Sequence, residues 1–102
     1  MGKGWKMESS QEDSLIKIIG EVDFTGTPEL RDEMHNFVKQ TSGEVSVDLS
    51  ELEYLDSSGL ASLIELRRML VKDSRTVKII AVTDQVDRLL NLTQVKSLFG
   101  LA

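Results

Sequence analysis

The chain has no cysteine, and only one histidine (His35), one tryptophan (Trp5), one tyrosine (Tyr54) and one proline (Pro28). Without cysteine there is no disulfide framework, no thiolate nucleophile and no zinc ribbon. A single histidine leaves little material for metal binding or general-base chemistry. No stretch approaches the roughly 18 consecutive apolar residues that a membrane-crossing helix needs. The opening Met1-Gly2-Lys3-Gly4-Trp5-Lys6-Met7-Glu8 lacks the apolar core of a signal peptide, so a cytoplasmic location is expected. Positive charge is also scarce: 12 Lys and Arg against 17 Asp and Glu leave a net charge of −5, and the basic residues are scattered. Nucleic-acid binding draws its affinity from counterion release under a concentrated basic patch, so no nucleic-acid partner is expected. An effect on transcription would have to pass through another protein.

What is present suits one globular unit over residues 1–102, with 40% hydrophobic and 28% charged residues. Trp5, Met7 and Ser9 alternate with Lys6, Glu8 and Ser10, the period of a half-exposed strand. After the polar turn Gln11-Glu12-Asp13-Ser14, the run Leu15-Ile16-Lys17-Ile18-Ile19 is apolar on both faces and reads as a central strand paired to the first. A loop, Gly20-Glu21-Val22-Asp23-Phe24-Thr25-Gly26, leads to Thr27 as N-cap and Pro28 at the first helical position. Leu30, Met34, Phe37 and Val38 follow at helical spacing, and Gly43 closes that segment. Val45, Val47 and Leu49 mark a strand over 45–49, a helix is expected over about 58–72, and 77–82 is β-branched and nearly continuous in apolar character. Asp84-Gln85-Val86-Asp87 opens a short third helix, and 95–101 is expected to add a last strand. The order β-β-α-β-α-β-α predicts an α/β fold: a mostly parallel central sheet, an N-terminal antiparallel hairpin strand and three helices.

Several chemistries lack their motifs. A serine hydrolase would need G-x-S-x-G, whereas Ser58 stands between Ser57 and Gly59, and its base would have to be His35, placed off the apolar stripe of its helix. Glu51, Glu53 and Asp56 show no metal-ligand spacing with His or Cys, so no metal is expected. Neither glycine-rich phosphate loop occurs, so no nucleotide cofactor is expected. A phosphoacceptor aspartate of the receiver type could be Asp48, but Asp23 has no acidic neighbour beside it and no suitable lysine follows 77–82.

Attention falls on Leu52-Glu53-Tyr54-Leu55-Asp56-Ser57-Ser58-Gly59-Leu60, where a strand-and-loop segment turns into a helix. One hydroxyl suffices to cap a helix, so a serine pair is redundant for that purpose. Gly59 disfavours a helix by about 1 kcal/mol relative to alanine, which points to close backbone approach or a special turn. At about 100° per residue, the stripe Leu60, Leu63, Ile64, Leu66, Leu70 and Val71 puts Ser58 on the opposite side, facing solvent, and Ser57 on the flank, better placed as cap or support. The same phase aligns Ser62, Glu65 and Met69 with Ser58, an expected exposed ridge suited to a partner.

The segment Asp56-Ser57-Ser58-Gly59-Leu60, Gly20-Glu21-Val22-Asp23 and the element order together resemble the anti-sigma factor antagonists of bacteria, which are small STAS domains. The likeness spans nearly the whole chain, departing where 72–76 contains no glycine. It implies that Ser58, the second serine of the pair, is phosphorylated by an anti-sigma factor that is also a serine kinase. It further implies that Asp23 lies near that site, that Asp56 opens the motif with Ser57 and Gly59 in support, and that a phosphatase resets the switch. The unmodified protein would bind the anti-sigma factor and release a sigma factor, without being an enzyme. Two readings stand beside this one: a STAS scaffold or accessory subunit of a lipid-transport or stress-signalling complex, and a hydrolase.

Overall fold

A computed structural model describes residues 4–101. The strands β1 (Trp5–Ser10) and β2 (Leu15–Val22) pair antiparallel, with Trp5 opposite Gly20 and Ser10 opposite Leu15. The turn between them is closed by Ser14, which takes a left-handed φ of 52° and donates its hydroxyl to the Glu44 carbonyl at 2.7 Å. From β2 the chain passes through α1 (Thr27–Lys39) to β3 (Val45–Leu55), then through α2 (Ser57–Lys72) to β4 (Val77–Val82) and on to α3 (Asp84–Leu92). The sheet order is β1-β2-β3-β4, with β2, β3 and β4 parallel. The expected architecture is therefore found, with 45–49 inside a central strand.

Alternation along the strands divides the sheet into a covered face and a wet one. Ile16, Ile18, Val45, Val47 and Leu49 are buried together with Leu30, Met34 and Phe37 of α1, Leu60, Leu63, Leu66 and Leu70 of α2, and Val86 and Leu90 of α3. Their intervening neighbours Leu15, Lys17, Ile19, Ser46 and Asp48 remain partly exposed on the opposite face. There Lys17 pairs with Glu51, whose carboxylate holds the lysine pKa above its usual value. Asp48, expected near a strand end, sits within β3 and bonds the hydroxyl and N–H of Ser50, which hold its carboxyl below the usual range.

Four elements differ from expectation. β2 continues to Val22, so Gly20, Glu21 and Val22, read as the start of a loop, are strand, paired with Leu52, Tyr54 and Leu55 of β3. β3 continues to Leu55, so the residues read as a motif loop form the end of a strand. Its buried positions change spacing, from Val45, Val47 and Leu49 to Leu52 and Leu55, while the β2–β3 register slips between Lys17 and Ile19 and again between Gly20 and Glu21. Such irregularities shift the side-chain alternation, which ends the period-two signal at Leu49. Thr27 is the first residue of α1 and Gly26 its cap, with the Thr27 hydroxyl donating instead to the Phe24 carbonyl at 3.2 Å. The expected strand over 95–101 is a 3₁₀ turn, Lys96–Phe99, whose Phe99 is fully buried and which Gly100 ends at φ 73°.

The 72–76 connection needs no glycine because Ser74 adopts the left-handed conformation itself, at φ 58°. Arg75 then clamps the end of α1, donating to the Val38 and Gly43 carbonyls and to the Thr41 hydroxyl at 2.9–3.0 Å. Beyond the end of β4, side chains take over its pairing with β3. Thr83 donates its hydroxyl to the Leu52 carbonyl at 2.7 Å, and the Gln85 amide both accepts from the Leu55 N–H at 3.0 Å and donates to the Leu55 carbonyl at 3.2 Å. The last strand residue before the serine pair is thereby held on both of its backbone groups.

Candidate functional site

The joint between β3 and α2 is built on one carboxylate. Asp56, in extended conformation, is the N-cap of α2, a role the sequence assigned to Ser57. Its Oδ1 accepts from the Gly59 N–H at 2.9 Å and from the Ser58 hydroxyl at 2.7 Å. Its Oδ2 accepts from the Phe24 N–H at 3.1 Å, which fastens the start of α2 to the β2–α1 loop. Acidic side chains are favoured here because the first helical N–H groups lack intrahelical acceptors. Ser57 is left exposed as the first helical residue, and Ser58 is partly exposed with its hydroxyl turned onto Asp56.

Gly59 occupies a place where an added side chain would press on its neighbours. A Cβ there would lie 2.4 Å from Leu55 Cδ1 and 3.1 Å from Val22 Cγ1, both on buried residues of the strands beneath. A larger residue here would require the buried Leu55 side chain to shift, and glycine lets the helix start approach the sheet without that displacement.

Asp23 organises the neighbouring loop and not the serine. Its carboxylate accepts from the hydroxyl and the N–H of Thr25, while its carbonyl accepts from the Gly26 N–H at 3.1 Å. The Thr25 hydroxyl is the main reason its pKa falls below the usual carboxylate value, with the Thr25 N–H second. Its link to the serine runs through the next residue, Phe24, whose N–H is bound by Asp56 and whose ring is 71% exposed.

The expected ridge on α2 is only partly open. Ser62 is buried at 3% exposure and turns its hydroxyl back to the Ser58 carbonyl at 3.2 Å. Glu65 is partly buried and faces α1: the Arg31 Nε lies 2.6 Å from its Oε2 and Arg31 Nη2 lies 3.2 Å from its Oε1. Met69 is partly buried against the core. Hydropathy phase accounts for a single buried face, whereas α2 packs on both the sheet and α1. His35, expected on a solvated surface, also faces α2: its Nε2 is buried without a hydrogen-bond partner, 3.9 Å from Glu65 Oε2.

Between the two helices lies an open groove of about 420 Å³, in which Thr27 and Arg31 of α1 meet Ser58, Ser62, Glu65 and Arg68 of α2. Sequence reasoning missed Arg31, because it lies on the polar side of α1 and only the packing of two helices makes it a neighbour of the serine. It also missed Phe24 and Gln85, whose contacts with the motif span about thirty residues. Among the described residues no group of three or more His, Cys, Asp or Glu could hold a metal, and no helix is long and apolar enough to cross a membrane.

A family model described as "Mlab, STAS domain" matches residues 5–100. The anti-sigma-B factor antagonist of Staphylococcus aureus (strain NCTC 8325 / PS 47) is 27% identical over 94 residues, covering 90% of this chain and 87% of that protein. In structure, an anti-sigma factor antagonist from Mycobacterium paratuberculosis is similar at TM-score 0.83 and 24% identity, over 95% of this chain and 84% of that one. The anti-sigma factor antagonist SpoIIAA in its unphosphorylated form is similar at TM-score 0.74 and 15% identity, over 92% of this chain and 84% of that one. Its phosphorylated form is similar at TM-score 0.64 and 16% identity, over 92% and 86%. The three structural likenesses establish a shared fold, and the family model, spanning both the sheet and the serine joint, establishes membership: this chain belongs to the STAS-domain family.

Proposed function

We propose that this protein is an anti-sigma factor antagonist, a cytoplasmic binding protein and not an enzyme, switched by phosphorylation of Ser58. The observation that carries the reading is the Ser58 hydroxyl: partly exposed, at the mouth of a groove, and donating to Asp56 at 2.7 Å. The names of its relatives support the partner class, and a structural neighbour known in unphosphorylated and phosphorylated forms supports the modification.

The switch follows from that hydrogen bond. An unmodified hydroxyl can donate its proton to Asp56; a phosphoserine has no such proton, and its ester oxygen and about −1.5 to −2 charges face a carboxylate. The side chain must turn away, while the cap from Asp56 to the Gly59 N–H can persist. The fold survives and the surface around Ser58 becomes more negative.

The partner face in this reading comprises Phe24, Ser57, Ser58 and the rim at Glu65. The anti-sigma factor docks there in the unmodified state, and a sigma factor is released. Ser62 and Met69, being buried or packed on the core, shape that face by holding α2 in place. An exposed phenylalanine beside a modifiable serine suits an interface anchored by one aromatic ring. A charge buried there without a partner that weakens binding by about 3 kcal/mol lowers affinity roughly a hundredfold. The same anti-sigma factor acts as the serine kinase, and a phosphatase restores the hydroxyl.

The test pairs the protein with the anti-sigma factor encoded by its own host. Incubation with ATP followed by peptide mass spectrometry should place phosphate on Ser58, and calorimetric titration should show binding lost in Ser58→Asp. Phosphate on Ser57 alone would overturn the site. Retrieval of transporter subunits in place of an anti-sigma factor would favour the accessory-subunit reading.

A further inference from the structure

We propose that Arg31 is an internal receptor for the phosphate on Ser58: on modification its guanidinium leaves Glu65 and pairs with the phosphoserine across the groove. The inference rests on Ser58 being the modified residue and adds to it how the phosphate is held.

Four observations converge on Arg31. It lines the same groove as Ser58, from the opposing helix. Its ion-pair partner is Glu65, with side chains 48% and 32% exposed, so the pair is screened by water and readily exchanged. A phosphorylated Ser58 is repelled by Asp56, to which its hydroxyl now donates, and the groove is the open space beside it. Finally, Glu65 would not be stranded. His35 Nε2 already stands 3.9 Å from its Oε2 with no hydrogen-bond partner, and Arg68 lies three residues on along the same helix.

Reach and chemistry both favour the exchange. Ser58 and Glu65 stand seven residues apart, about two turns or roughly 10 Å along the axis of α2, and the lean of the Glu65 side chain toward the N-terminus narrows that gap. Arg31 and Ser58 line one open groove, so a long guanidinium side chain and a phosphate extended from Ser58 can approach from both sides of it without movement of the backbone. The guanidinium would trade a singly charged carboxylate for a phosphate near −2, with a matching pair of N–H···O bonds. Phosphorylation then does two things: it places charge at the partner face, and it releases Glu65 from Arg31, altering the groove rim.

The experiment uses the full chain with phosphoserine installed at position 58 during synthesis, so no kinase is needed. The second ionisation of the phosphate is followed by 31P NMR, its ordinary midpoint being about pH 6. The reference is phosphoserine installed at the exposed position 57. A cation brought within about 4–6 Å should lower the midpoint at position 58 by about one unit relative to Arg31→Gln in the same phosphorylated background. Glu65→Gln, which removes the competitor, should lower it further, and Arg31→Lys should fall between wild type and Arg31→Gln. Equal midpoints with Arg31 and with Arg31→Gln would overturn the proposal, as would a shift of the same size at position 57. These outcomes are independent of whether a kinase modifies Ser58: failure of that reading shows in the mass spectrum, and failure of this one in the phosphate titration.

Discussion

Asp56→Asn separates two roles that a single carboxylate holds at the serine joint. Were Asp56 only a helix cap, asparagine would replace it almost without loss, since the two rank together at N-cap positions. The structure gives it a second duty: Oδ1 accepts from Gly59 N–H at 2.9 Å while Oδ2 accepts from Phe24 N–H at 3.1 Å. An amide has one acceptor oxygen. Whichever way it is turned, its NH2 group confronts one of those two backbone N–H groups, and donor meets donor. Losing one such hydrogen bond costs about 0.5–1.5 kcal/mol. Losing negative charge at the helix start costs about 0.3–1 kcal/mol more. The expected destabilisation is therefore about 1–2 kcal/mol, read from urea unfolding with an unchanged slope.

Hydrogen exchange identifies which bond is lost. The Ser58 hydroxyl can also bond to the oxygen that stays, so the amide should keep Oδ1 toward the helix and release the loop. Phe24 N–H should then exchange faster while Gly59 N–H stays protected. Asp56→Ser, with one short oxygen, should likewise keep the cap and lose the loop. If Asp56→Asn leaves both stability and Phe24 exchange at wild-type values, the carboxylate does not join α2 to the β2–α1 loop and the reasoning fails.

Gly59→Ala sets a helix preference of about 1 kcal/mol in favour of alanine against overpacking of about 1–3 kcal/mol. With Leu55 Cδ1 only 2.4 Å and Val22 Cγ1 3.1 Å from the new Cβ, the melting temperature should fall, and a rise would refute the close-approach argument. Asp23 supplies a pH prediction: its pKa is lowered in the fold, chiefly by the Thr25 hydroxyl, so its contribution is present above its unfolded value near 3.8 and is lost as pH falls through the lower folded value. The difference in denaturation midpoint between wild type and Asp23→Asn should shrink below about pH 4, and a difference that is constant with pH would count against it.

The elements easiest to read from sequence were those governed by one local rule. Pro28 and the spacing of Leu30, Met34, Phe37 and Val38 marked α1, and simple alternation marked 45–49 as a strand. β3 ran past its expected end because a shifted register changes which residues point inward, and Leu52 and Leu55 then no longer fit a period of two. At the joint, Asp56, Ser58 and Gly59 fall within four consecutive residues, so their proximity was evident, although the cap is Asp56 and not Ser57. What holds the joint in place was not evident. Phe24 and Gln85 reach it from about thirty residues away, through a backbone N–H and a side-chain amide that carry no hydrophobic signal.

The misread ridge has the same physical root. Hydropathy phase locates a helix face that is buried among apolar atoms, and it finds the side of α2 that carries Leu63, Leu66 and Leu70. It is blind to a second face buried by polar residues that satisfy each other. Ser62 can be buried because its hydroxyl bonds the carbonyl one turn back, a contact available within any helix. Glu65 can face another helix because Arg31 meets it there. Both look like solvent-facing residues in one dimension, and both line the α1–α2 groove in three. Ser58 stands where that polar face reaches the helix start, which explains how it can be bonded to Asp56, open to solvent and within reach of α1 at once. A hydroxyl on a wholly solvated ridge would have no neighbour to respond to its modification; at the mouth of a polar groove it has Asp56 to repel a phosphate and Arg31 to receive one.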